Sequence, residues 1–169
     1  MPTSVTSKII MGIDPGYDRL GIAIVKKEKI GKEELLFSDC LTSKHQDPFP
    51  ERLKSIGLGI ENLIRTYQPN YLVLEKLFVT NNQKTAMMVG EVRGMIMYIS
   101  AKASLPILEY TPLEIKSTIT GYGKADKEQV ILMVKNLIQI NKKISHDDEF
   151  DAIAIALTAI AREINLYKK

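Results

Sequence analysis

The chain has 169 residues, 45% of them hydrophobic and 25% charged. That is enough apolar material for one globular domain with a sizeable core, and too little length for two of ordinary size. Its 23 Lys and Arg against 20 Asp and Glu leave a net charge of only +3, which excludes an indiscriminate polycation, so any anion site must come from local placement. A single cysteine, Cys40, and two histidines exclude a disulfide framework and a thiolate or imidazole zinc centre, leaving carboxylates as the available metal ligands.

Residues Met1 to Lys8 lack the charged start and apolar run of a secretory signal. The expectation is a cytoplasmic protein without a membrane span, with residues 1–7 as a disordered extension and one domain over 1–169. Lys8 to Asp14 form an apolar run ending in an acid, Pro15-Gly16 a turn, and Leu20 to Val25 a second apolar run, which reads as strand, tight turn, strand. A third strand over about Leu35 to Cys40 completes an antiparallel meander. From Pro50 onward Leu53, Ile56, Ile60, Leu63, Ile64 and Tyr67 recur at steps of three and four, a helical face weakened by Gly57 and Gly59. Tyr71 to Leu74 is a buried strand ending at Glu75.

A long helix is expected from Asn82 to Ala103; its interruptions, Glu91, Arg93 and Lys102, make it a packed helix and not a membrane span. Ile107 to Tyr110 is a short strand, and Thr111-Pro112 opens a short helix with a cap before an N1 proline. After the loop Thr120 to Ala125, Asp126 caps a helix bearing Val130, Met133, Val134, Leu137 and Ile138. A last helix runs from about Asp148 with Phe150, Ile153, Ala154, Leu157, Ile160, Ala161 and Ile164 on one stripe. Three strands followed by helix, strand, helix, strand and helices imply an α/β fold, a mixed sheet covered by helices.

Asp14 ends the first strand, Glu75 ends the fourth, and Asp148 and Asp151 lie three apart on one face of the last helix. Acids at the same ends of adjacent strands can converge, and four carboxylates in one place require a cation; oxygen-only ligation favours Mg²⁺ or Mn²⁺. Taken singly, each acid has a plainer role: Asp14 as a turn starter, Glu75 as an exposed strand end, and the trio Asp147, Asp148, Glu149 as capping charge at a helix start.

Lys116, Lys124 and Lys127 surround Gly121 and Gly123, and the helix begun at Asp126 offers amides to an anion. The alternative is a surface loop with solvated lysines. Phe78, three residues beyond Glu75, can stack on an unpaired base or staple the following helix. Gly90 and Gly94, four apart and flanked by Met87, Met88, Met95 and Met97, permit close approach of the helix to the sheet or to a second copy of the chain. Tyr17, Asp18 and Arg19 read as hairpin residues, and His146 as an incidental neighbour of the acidic trio.

These pieces resemble the RuvC Holliday junction resolvases. The resemblance covers Ile10 to about Ile160 and rests on Gly12-Ile13-Asp14-Pro15-Gly16 with Gly21, Glu75-Lys76-Leu77-Phe78 with Asn81, and Gly90-Glu91-Val92-Arg93-Gly94. It continues through Thr111-Pro112 to Lys116, Thr120 to Gly123, Ala125, Lys127 and Gln129-Val130, and ends in Asp148 to Ala154. The resemblance implies an RNase H-like fold with a five-stranded mixed sheet flanked by helices. It further implies a homodimeric endonuclease that cuts four-way DNA junctions symmetrically in recombination and repair. Asp14, Glu75, Asp148 and Asp151 match its catalytic metal-binding acids, with two Mg²⁺ per site and Mn²⁺ as a substitute. Lys116 and Lys127 match basic residues near the scissile phosphate, Lys124 sits in the same loop, and Phe78 matches a base-stacking aromatic. The helix bearing Gly90 and Gly94 matches the dimer helix, and a branch-migration motor of RuvA and RuvB is the implied partner.

Two departures stand out. Lys76 replaces a usually neutral residue beside the glutamate, placing a positive charge near the acids, and Asp147 and Glu149 flank Asp148, which helical spacing nevertheless favours as the ligand. Two other readings are a junction-binding protein with weak catalysis and an RNase H-like nuclease acting on structured RNA; the Thr-Pro to Gly-x-Gly-x-Ala segment argues against the latter.

Overall fold

In a computed structural model of the chain, residues 7–28, 31–76 and 83–163 are described. The strands are β1 (Lys8–Asp14), β2 (Arg19–Lys27), β3 (Glu34–Thr42), β4 (Tyr71–Glu75) and β5 (Ile107–Tyr110). The helices are α1 (Phe49–Tyr67), α2 (Gln83–Lys102), α3 (Pro112–Thr120), α4 (Lys127–Leu137) and α5 (Asp147–Arg162). The sheet order is β3-β2-β1-β4-β5. β1, β2 and β3 form the expected antiparallel meander, and β4 joins both β1 and β5 in parallel. The result is the expected five-stranded mixed sheet. Residues 1–6 of the expected extension, and Phe78 and Asn81, lie outside the described residues.

Strand alternation divides the core into two layers. Met11, Ile13, Ile22, Ile24, Leu72 and Leu74 pack with Ile56 and Ile60 of α1 and Val92 and Ile96 of α2. Ile10, Ala23, Val25 and Val73 face the other way, toward Ile115 of α3, Val130 and Val134 of α4, and α5. From Ala152 to Ile160 every residue of α5 is buried. A helix apolar on all sides needs cover on all sides, and α3, α4 and the sheet supply it. On a parity of two, Gly12 and Asp14 share the face of Ile10, and Glu75 shares that of Val73. Both acids are therefore carried on the α5 side.

Capping follows the sequence at two of three places. Thr111 with Glu114, and Asp126 with Gln129, each form a reciprocal capping box that starts α3 and α4. At α5 the acidic trio lies in the first turn as expected of helix-start charge, but it does not supply the cap: the N-cap is His146, whose side chain makes no cap bond. Glu149 is buried and paired with Lys142 at 2.6 Å, while Ser38 Oγ donates to it at 2.9 Å. A buried carboxylate is retained only when charge and hydrogen bonds meet it, and here the last loop and β3 supply both. Residues 38 and 149 are thereby linked across the fold by a carboxylate that the sequence offers only as helix-start charge.

Candidate active site

Two glycines bring α5 directly onto the strands. A Cβ on Gly12 would stand 2.3 Å from the carbonyl oxygen of Ala152, and one on Gly21 would stand 1.9 Å from that of Asp148. Neither distance tolerates a side chain, so helix backbone lies against strand backbone at the end where Asp14 emerges. That contact delivers the first turn of α5, with Asp148 and Asp151, to the C-terminal ends of β1 and β4.

The charges confirm the convergence. Burial pushes the Asp14 carboxyl up to about 7, and Asp151, Glu75 and Asp148 add to the shift while Lys127 opposes it. Glu75 is raised by burial and by Asp151, and eased by Lys116 and Arg93. Burial also raises Asp151, against the hydrogen bond and charge of Lys127. Partial burial alone would lower the Lys127 ammonium, but its bond to Asp151 and the surrounding acids carry it above its usual value. Acids perturbed by burial and by one another are what a functional site produces, and they make this end of the sheet the candidate.

A cavity of about 160 Å³ opens beside them, lined among others by Glu75, Lys116, Lys127 and Asp151. Lys127 Nζ lies 3.0 Å from Asp151 and 3.7 Å from Asp147. Lys116 and Lys127 are thus brought to the acids. Lys124 is exposed and does not line this cavity. The α4 amides expected to receive an anion are partly occupied: the Gln129 amide already bonds the Asp126 side chain. Gly121, at φ 77°, ends α3 in the left-handed conformation, which its lack of a side chain permits.

Asp148 and Asp147 separate clearly. Asp148 acts on Asp14 and takes Arg19 Nε at 3.5 Å, whereas the Asp147 side chain is 63% exposed. Arg19 also lies 3.3 Å from His146 Nδ1, so both residues belong to the rim of the site, and the hairpin reading of Arg19 was incomplete. The Glu114 carboxyl is held below its usual range by its hydrogen bonds with Thr111, with Arg162 and Lys76 adding to the effect. No sequence signal distinguished Arg19. Arg93 had one, as one of the charges that interrupt the apolar run of the long helix.

The donor set is oxygen and anionic, which fits a hard divalent cation. Among the described residues no three Asp, Glu, His or Cys side chains are already gathered about one point. Lys127 on Asp151 and Arg19 on Asp148 hold two of the carboxylates toward cations of the protein itself.

Away from the cleft, Gly90 and Gly94 have no atom of the described residues within 4 Å of a notional Cβ, so they do not serve close packing among the described residues. With exposed Met87, Met97 and Tyr98 they leave an open, partly apolar face on α2. No described helix is long and apolar enough to cross a membrane.

Residues 10–159 match the family model of the crossover junction endodeoxyribonuclease RuvC. The chain belongs to the RuvC family. RuvC of Petrotoga mobilis is 41% identical over 148 residues, 88% of this chain and 90% of that one. RuvC of Natranaerobius thermophilus is 42% identical over 149 residues, covering 88% and 92%. Among solved structures, RuvC of T. thermophilus in complex with a Holliday junction substrate aligns with a TM-score of 0.85 at 28% identity, over 91% of this chain and 93% of that one. The yeast mitochondrial Holliday junction resolvase Ydc2, at 15% identity and a TM-score of 0.66 over 95% of this chain and 82% of that one, shares the fold. RuvC nucleases are metal-dependent as a class.

Proposed function

We propose that this protein is a crossover junction endodeoxyribonuclease that resolves four-way DNA junctions by paired, symmetric hydrolysis of phosphodiesters. What supports the reading is the electrostatic coupling of Asp14 with Asp151, Glu75 and Asp148, beside a cavity lined by Glu75, Asp151, Lys116 and Lys127, in a chain of this family.

Asp14, Glu75, Asp148 and Asp151 are the groups to hold Mg²⁺, two ions per site, with Mn²⁺ as a substitute. Bound there, the metal supplies an activated water and stabilises the leaving 3′ oxygen. The protein's own residues do the rest. Asp14, which the other three acids all act on, would hold the metal together with Glu75 and Asp151, and Asp148 would serve as a further ligand or water-orienting base. Lys116 and Lys127 receive the scissile phosphate and offset charge that grows on it in the transition state. Lys124 and Phe78 are assigned to flanking DNA, the first to a phosphate and the second to an unpaired base.

Symmetric cutting needs two sites, and the α2 face around Gly90 and Gly94 is the surface for a homodimer. We assign the chain one nuclease domain, a cytoplasmic setting and a branch-migration motor of RuvA and RuvB as partner. The test is cleavage of a synthetic four-way junction and of linear duplex in Mg²⁺ by wild type and Asp14→Asn. Junction-selective nicking by wild type and none by the variant is expected. Junction binding without product, or preference for a structured RNA, would replace this reading with a binding protein or an RNA nuclease.

A further inference from the structure

Arg93 is a nearly buried cation in the middle of α2, on the face turned to the sheet. A buried guanidinium is retained only with its charge and donors met. One partner is Glu109, on the α2 side of β5. The other is the main-chain carbonyl of Glu75.

That carbonyl has a particular need. The Lys76 amide donates to Tyr110 of β5, so strand alternation turns the Glu75 carbonyl the other way, toward β1. Pairing of β4 with β1 has by then ended at Ile13 and Leu74. The sheet gives the Glu75 carbonyl no donor, and Arg93 supplies one from below while the Glu75 carboxylate faces the cleft above. The same positive charge eases ionisation of Glu75.

We infer that Arg93 is a positioning residue for the nuclease reaction: by bonding the Glu75 carbonyl and pairing with Glu109, it fixes the last residue of β4 so that its carboxylate stays with Asp14 and Asp151. This rests on the reading of Glu75 as a metal ligand. Arg93 touches neither DNA nor metal in this scheme. Its removal leaves the junction-binding surface intact and loosens one wall of the metal site. Groups that orient a metal ligand lower metal affinity or activity by about 10–100-fold when removed. Lysine keeps the charge but cannot bond the carbonyl and the carboxylate as a planar fork does, so Arg93→Lys restores only part of the loss.

The experiment compares wild type, Arg93→Gln, Arg93→Lys, Arg93→Gln with Glu109→Gln, and Glu75→Gln. Three quantities are measured: Mn²⁺ affinity of the DNA-free protein by calorimetry, junction affinity in EDTA, and single-turnover cleavage under saturating junction. Expected for Arg93→Gln are Mn²⁺ binding and cleavage each weakened about tenfold or more, with junction affinity within about twofold, and intermediate values for Arg93→Lys. Should Arg93→Gln fail to fold, the double variant, which leaves no unpaired carboxylate, and Arg93→Lys decide the matter by the same readouts. Wild-type Mn²⁺ affinity and cleavage in the folded Arg93 variants, with Glu75→Gln defective in both, overturn the inference alone. Wild-type values for Glu75→Gln overturn the assignment of Glu75 itself. A uniform fall in junction affinity, metal affinity and thermal stability would make Arg93 merely structural and also overturn the inference.

Discussion

Replacing Asp14 by Asn should abolish cleavage and yet make the metal-free protein more stable. The Asp14 carboxyl moves from 3.8 to about 7 in the fold, through burial and the charges of Asp151, Glu75 and Asp148. The group is held protonated by the native state over a range where the unfolded chain has lost its proton. Below about pH 4 both states carry it and there is no penalty. As pH rises through that range the unfolded state sheds the proton first, so stability falls until the native group also ionises near pH 7. A shift of about three units at 1.36 kcal/mol each corresponds to roughly 4 kcal/mol. Asparagine cannot ionise but still buries a polar group, so the net gain at pH 8.5 is about 2–4 kcal/mol, a rise of roughly 5–15 °C in Tm for a chain of this size. Thermal melts of wild type and Asp14→Asn in EDTA at pH 4.5 and 8.5 check this, with the difference shrinking to below about 1 kcal/mol at the lower pH. Adding Mg²⁺ at pH 8.5 should raise the wild-type Tm far more than that of the variant. A variant no more stable than wild type at pH 8.5, or equally favoured at both pH values, would refute the account of Asp14 as a buried charge awaiting a cation.

Lys127→Ala removes the cation from Asp151 and should slow single-turnover cleavage by about 10²-fold with a smaller effect on junction binding, measured with labelled junctions at saturating Mg²⁺. Gly21→Ala drives a Cβ into the Asp148 carbonyl; urea melts should show a loss of about 1–3 kcal/mol or more, with cleavage lost as α5 is displaced. Gly94→Ala meets no atom among the described residues and should add about 0.5–1 kcal/mol of helix stability, while sedimentation shows a weaker dimer if a second copy lies on that face. Lys142→Met leaves Glu149 buried with Ser38 alone, at a cost of about 2–4 kcal/mol by chemical denaturation, much of it recovered in Lys142→Met with Glu149→Met.

Period-two and period-four patterns made the meander, β4 and the stripe of α5 readable, because alternation and amphipathicity are local. They also placed Asp14 and Glu75 at strand ends. What escaped is non-local. That Asp14 and Glu75 share one face follows from the parallel register of β1 and β4, which no local pattern states. Glu149 looked like helix-start charge because its partner Lys142 approaches from a loop and Ser38 from β3. Arg19 looked like a hairpin residue because Asp148 is 129 positions away in sequence. Lys124 carried the same local argument as Lys127, and only the path of the chain between them put one at the acids and the other in solvent.

The order of elements along the chain has a bearing on how a nuclease is made. β1 and β4 supply Asp14 and Glu75, but Asp148 and Asp151 belong to α5, which follows all five strands. A nascent polypeptide leaving the ribosome carries half of the acidic set long before the other half is translated. The sheet's α5 side also lacks its covering helix until then, so neither the full acidic set nor its dry surroundings exist in the growing chain. The acidic set is completed only by the last element of the fold to be synthesised.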